Sequence, residues 1–229
     1  MNLFASSNQK LVIKQGFKKA QKEIDMSFVG MYIAHDGIVV SADSLMRTSC
    51  GDGTFIDSYG NKVFSVLGGS AVVAITGQMT FGNKRISFSK IVNIINNKST
   101  SISEFISLLM ELLKKEEVVS HTVIWIAGYE KGNLGFCTIT GRCKDVEMGE
   151  ADRWEQLYPA NILPLYFSGA HWAIHYAESC KLPTKHVAEA KDSLQTLVKL
   201  ICKVDKELRY IDNTVGGEVK TIVVLPPTK

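Results

Sequence analysis

The stretch Phe28–Asp43, FVGMYIAHDGIVVSAD, constrains the fold more than any other part of this chain. Two apolar runs flank His35-Asp36-Gly37. Asp-Gly between two such runs is a strong hairpin signal, because these residues tolerate the tight backbone that joins antiparallel strands. Ser27 stands directly before the first run, after Met26. Whether Ser27 merely opens a strand or is the first residue of the working protein is the question on which function turns.

Further strands are expected at NKVFSV (61–66) and AVVAIT (71–76), around LGGS. The polar stretch RTSCGDGTFIDSYG between the two strand pairs reads as a loop. Apolar residues at helical spacing predict a helix over about Met79 to Asn96. Ser101 followed by Glu104 is a capping box, and Ile102, Phe105, Ile106, Leu109, Leu112 and Leu113 form the apolar stripe of the helix it opens. TVIWIAGYE and LGFCTIT flank a Lys-Gly-Asn turn, and CKDVEMG is a possible third strand. After a loop with Pro159 and Pro164 comes LYFSG, then helices over about 170–180 and 184–208, then the strand EVKTIVVL. Runs of strands alternating with helix pairs predict an α+β fold. Its expected form is a four-layer αββα sandwich, two stacked antiparallel sheets flanked by helix pairs.

The 229 residues, 45% hydrophobic and 21% charged, supply a sizeable core. A formal charge of +3 does not predict nucleic-acid binding, which needs a concentrated basic face. Residues 1–26 stand apart from the 27–229 domain: they are rich in Lys, without interleaved aromatics, and read as a solvated arm. The first residues lack the apolar core of a signal peptide, and the apolar stretch Val63–Gly77 is broken by Ser and Gly and too short to span a bilayer. Five scattered cysteines without a CxxC pair suggest reduced thiols, hence a cytoplasmic protein without membrane contact.

Five stretches, in this order, resemble the proteasome subunit family of N-terminal-nucleophile (Ntn) hydrolases, nearest to its bacterial ring peptidases. They are HDGIVVSADS (35–44), NKVFSV (61–66), AVVAITGQM (71–79), FSGAH (167–171) and IDNTVGGEVKTIVV (211–224). The resemblance implies a fold and a chemistry. A catalytic member attacks a peptide carbonyl with the hydroxyl of its own first residue, and the free α-amine accepts the proton. An α-amine, with a pKa near ~8, suits that task at working pH. Mapped by that resemblance, Ser27 is the nucleophile, where Thr is usual. Lys62 is the buried ammonium beside it, Asp43 holds Lys62, and the Gly77 N–H faces the developing oxyanion. Ser168 and Asp212 steady the amine.

The chain departs from the family pattern at three points, one being that Asp43-Ser44 does not lead directly to an Arg, which arrives only at Arg47. Val215 stands where a Ser is usual. The Gly30-to-Gly37 spacing is one residue longer than usual, and if the extra residue lies inside the strand, Met26 takes the place of Ser27. The resemblance also implies a homo-oligomeric ring, peptide or unfolded-protein substrates, an ATP-dependent unfoldase as a possible partner, and no cofactor.

Residues 1–26 admit three readings: a propeptide, a helix like that of non-catalytic α-type subunits, or a mis-assigned start with Met26 as the true one. Self-cleaving members carry Gly before the nucleophile, which disfavours self-removal behind Asp25-Met26. An intact extension leaves Ser27 with an amide and no base of its own. The alternatives are therefore an inactive scaffold subunit of the same fold, or an Ntn amidase acting on small amides. His171 and His175, four apart with Glu178 nearby, lack a third ligand, so no metal is expected. Trp125, Trp154 and Trp172 read as core or interface anchors.

Overall fold

The hairpin forms where the sequence places it. In the computed structural model, which describes residues 27–49, 55–81, 86–118, 120–143, 153–180, 182, 186–208 and 215–228, β1 (Phe28–Ala34) and β2 (Gly37–Ala42) pair antiparallel. His35 and Asp36 alone form the loop, closed by the pair Ala34–Gly37. The basic segment 1–26, the 144–149 portion of the CKDVEMG stretch, Cys50 and Asp212 lie outside the described residues.

The stretch expected to be a loop instead contributes two strands, β3 (Leu45–Ser49) and β4 (Phe55–Tyr59), paired with each other. Each strand is only five residues long, too short for an apolar alternation to announce it. Next come β5 (Val63–Val66), a 3-10 turn at Leu67–Gly69, and β6 (Ala71–Thr76). The helix expected from Met79 begins later. Short strands β7 (Thr80–Phe81) and β8 (Ile86–Ser87) pair first, and α1 runs Phe88–Asn96, capped by the Ser87 hydroxyl accepting from Lys90 N–H.

Helix α2 (Ile102–Leu113) carries the expected cap, with Ser101 Oγ accepting from Glu104 N–H at 3.1 Å. The Glu104 carboxylate reaches back to Thr100 N–H at 2.8 Å, one residue before the usual position in a capping box. Then follow β9 (Thr122–Glu130), β10 (Asn133–Arg142), β11 (Arg153–Leu157) and β12 (Leu165–Gly169). Helices α3 (His171–Ser179) and α4 (Val187–Leu208) and strand β13 (Lys220–Val224) complete the described elements.

The long strands form two antiparallel sheets, one ordered β12-β1-β2-β13 and the other β11-β10-β9-β6-β5. Period-two alternation decides which side each residue faces. Phe64, Val73 and Ile75 pack with α1 and α2 through Phe88, Ile91, Phe105 and Leu109. Phe28 and Val39 pack with α3 and α4 through Ala173, Leu194 and Ile201. Val29, Met31, Val40, Val72 and Ala74 pack with one another between the sheets. The α+β class expected from the sequence is the class observed. No helix among the described residues is long and apolar enough to cross a membrane.

The hairpin turn also anchors α4. Asp36 Oδ1 accepts from Val187 N–H at 2.8 Å, and His186 Nδ1 lies 3.4 Å from Oδ2. The Val187 N–H, ahead of other causes, holds the Asp36 carboxyl below its usual pKa. A depressed carboxyl stabilises the fold above its unfolded pKa, and that stability fades as pH falls through the depressed value. Asp36→Ala therefore lowers the melting temperature at pH 7. The gap from wild type closes below about pH 4, as a calorimetric series across pH would reveal. A gap that persists undiminished at pH 2 contradicts the capping role.

Candidate active site

The space between the sheets is apolar except at one end. There Ser27, Asp43, Lys62, Thr76 and Ser168 come together from the ends of different strands, all of them buried. The β1–β2 ladder runs without a bulge from Val29–Ala42 to Ala34–Gly37. Alternation thus keeps Ser27 on the inter-sheet side with Val29 and Met31. The Ser27 carbonyl accepts from Ala170 N–H at 2.8 Å, just past β12. Gly169 makes this approach possible: its φ is +126°, and a Cβ there would overlap the Ser27 carbonyl oxygen.

Asp43 is the hub. Its Oδ1 accepts from Lys62 Nζ at 2.7 Å and from Phe28 N–H at 2.8 Å. Its Oδ2 accepts from Leu45 N–H at 3.2 Å and Gly216 N–H at 3.1 Å. Four donors satisfy a carboxylate fully, which is what a buried charge requires. Lys62 has no exposed side-chain surface. Burial pulls its pKa below that of a free lysine, against the attraction of Asp43. The Gly216 carbonyl accepts from Ser44 and Leu45 N–H, tying the Gly-Gly turn to the end of β2.

Gly77 follows β6 with φ +88°, and a Cβ would run into the His121 carbonyl. Its neighbour Gln78 donates its backbone N–H to Thr122 Oγ1 at 2.9 Å. Gly77→Ala combines a left-handed backbone with that overlap and costs roughly 2 kcal/mol or more. Denaturant unfolding of the variant measures it; an unchanged midpoint removes the geometric need for glycine.

Ser168, expected to steady the amine, bonds Thr76, with Oγ and Oγ1 2.8 Å apart. Sequence reasoning missed Thr76, though it was visible as the polar member of the Val72–Ala74 face in an otherwise apolar strand. It also missed Asp205, fully buried on α4, whose carboxylate accepts from Val215 N–H at 3.0 Å. The signal was an acid four residues after Ile201, on the helix's apolar stripe. Val215 is buried in the same apolar cluster as Phe28. Burial pushes the Cys137 and Cys202 thiols up to about 12, so neither offers a thiolate near neutral pH. His171 and His175 meet edge to face at 4.4 Å, with Glu178 3.6 Å from His175, but no group of three metal ligands forms among the described residues.

Similar folds occur among solved structures. Anbu (ancestral beta-subunit) from Yersinia bercovieri matches with a TM-score of 0.53 at 15% identity, over 86% of this chain and 81% of that one. An Anbu (Gly-1) mutant from Hyphomicrobium sp. strain MC1 matches with a TM-score of 0.53 at 14% identity, over 87% and 81%. The fold is distantly proteasome-like. No protein-family model matches the chain, and neither does any curated protein.

These findings correct the kinship drawn from the sequence. Membership in the proteasome subunit family, nearest to the bacterial ring peptidases, gives way to a distant likeness of fold to Anbu proteins at 14–15% identity. The reason is physical. Short stretches such as AVVAITG and VGGE record a strand end, a positive φ and a tight turn, which any chain of this topology needs. They report architecture rather than descent or activity.

Proposed function

We propose that this chain is a peptidase subunit that hydrolyses peptide bonds with Ser27 as an N-terminal nucleophile. The observation that carries the reading is the double engagement of Asp43 Oδ1. One oxygen holds both the Lys62 ammonium and the amide of Phe28, the residue bonded to Ser27. A buried cation is thereby tied to the peptide unit next to a buried hydroxyl. Three apolar clusters, helix on sheet, sheet on sheet and sheet on helix, support a four-layer αββα arrangement as its frame.

In this mechanism Ser27 Oγ attacks the carbonyl carbon and forms a C–O bond, while its proton passes to the Ser27 α-amine. The oxyanion receives the Gly77 N–H; one such donor contributes about 3 kcal/mol. Collapse breaks the C–N bond, and the departing amine takes the proton back from the ammonium. Water then hydrolyses the ester with the same amine as base. The Lys62 charge favours the unprotonated amine and the developing alkoxide. Asp43 orients Lys62, and Ser168 steadies the amine; Asp212 is assigned the same task by resemblance. The function includes a homo-oligomeric ring in the cytoplasm that admits unfolded chains, supplied by an ATP-dependent partner.

The mechanism requires Ser27 to be the first residue of the mature protein. Intact mass and N-terminal sequencing of the protein from its native source, alongside peptide hydrolysis, test this. A mature start at Met1 sinks the enzyme reading. Buried Val215, where the family pattern has Ser, favours a second reading, a non-catalytic scaffold subunit of the same fold.

A further inference from the structure

Over most of its length the layer between the sheets is filled by side chains such as Val29, Val40, Val72 and Ala74. Thr76 and Ser168 interrupt it with two buried hydroxyls, 2% and 8% exposed, on strands of different sheets. Valine matches threonine in shape and strand preference and carries no hydroxyl to bury. Packing alone therefore gives no reason for threonine at this position. The pair's location does. Ser168 stands opposite Val29 in the β1–β12 register, two residues from Ser27. Thr76 immediately precedes Gly77, the oxyanion donor. One 2.8 Å hydrogen bond thus joins the strand that ends at the oxyanion donor to the strand beside the nucleophile.

We propose that Thr76 is a positioning residue for the Ser27 reaction: by accepting from the Ser168 hydroxyl it fixes which way the Ser168 proton points. The inference rests on the reading of Ser27 as an N-terminal nucleophile. A hydroxyl has one proton and two lone pairs. With Thr76 as acceptor, Ser168 turns its proton away from the Ser27 amine and offers an oxygen lone pair to an amine N–H, which leaves the nitrogen lone pair free to take the Ser27 Oγ proton. Without Thr76, the Ser168 proton is free to turn to the nitrogen lone pair and competes with the Ser27 Oγ proton for it; such a bond favours the neutral amine but blocks it as a base. Thr76 touches neither substrate nor the reacting atoms and acts only through Ser168.

The test is the pH profile of kcat/KM on a fluorogenic peptide amide. It compares the mature wild-type protein with Thr76→Val, Thr76→Ser, Ser168→Ala and the Thr76→Val/Ser168→Ala double variant. The expected result is an acid limb displaced downward by roughly half a pH unit or more in Thr76→Val. kcat falls about tenfold with KM unchanged, as misplacement of a reacting group produces. Thr76→Ser, which keeps the hydroxyl, restores the profile. In the Ser168→Ala background Thr76→Val adds less than about twofold, because residues acting as a unit are non-additive. If Thr76→Val does not fold, Thr76→Ala carries the same comparison. A Thr76→Val profile superimposable on an active wild type overturns the positioning role and leaves the nucleophile reading intact. So does a full additional loss in the Ser168→Ala background. A wild-type protein that hydrolyses no peptide brings down both.

Discussion

Ser27→Ala abolishes peptide hydrolysis, by at least ~10³-fold in kcat, and leaves the fold intact. The size follows from what is removed. In the proposed mechanism the hydroxyl forms the covalent bond, so no neighbouring group would substitute for it; only substrate binding and the Gly77 donor would remain to assist water. Stability changes little because the position is held through the backbone. The Ser27 carbonyl is fixed by Ala170 N–H, and the next amide by Asp43, and alanine retains both bonds. Ser27→Thr keeps the hydroxyl and adds a methyl that narrows its rotamers, so hydrolysis survives. The measurement is steady-state hydrolysis beside a melting curve for each variant. Residual activity of Ser27→Ala within tenfold of wild type removes Ser27 from the chemistry.

The second large effect falls on stability. Asp43→Ala leaves Lys62, with no exposed side-chain surface, as an uncompensated buried cation. It also strips the acceptor from two backbone N–H groups, those of Phe28 and Gly216, while Leu45 N–H keeps its bond to the Gly216 carbonyl. Breaking a buried pair costs about 3–5 kcal/mol, and each orphaned donor adds roughly 1 kcal/mol or more. The sum approaches the whole stability of a typical domain, so Asp43→Ala is expected to be unfolded at 37 °C. Lys62→Met costs less, because Asp43 keeps its three backbone donors. Its loss is nearer the lower end, about 3 kcal/mol. Urea titration gives the order: wild type, then Lys62→Met, then Asp43→Ala. Equal midpoints for the two variants mean that the backbone donors contribute nothing. If Lys62→Met matches wild type, the ion pair is not what holds this end of the sheets together.

Much of the frame was legible because burial writes itself into sequence as periodicity. The β1–β2 hairpin, the capped α2 with its stripe from Ile102 to Leu113, and the strand AVVAIT all came out as expected. The failures share a cause. β3 and β4 form a ribbon of two five-residue strands, and the short β7–β8 pair interrupts a helical pattern before α1. Neither leaves an alternation to read. In the candidate site, Asp43, Lys62, Gly77 and Ser168 were named through resemblance, and each by itself is an ordinary strand-end residue. Thr76 and Asp205 required knowing which neighbour they face.

By itself the sequence determined the main alternation of strands and helices, the Asp-Gly hairpin turn, and the glycines at strand ends. These depend on local backbone preference and on periods of two and 3.6, which are properties of near neighbours. Only the tertiary structure decided that Asp43 grips Lys62 and the Phe28 amide together, and that Thr76 meets Ser168 across 92 residues of chain. Such contacts join residues far apart along the chain. Their geometry is set by how two sheets stack, and no local pattern encodes that.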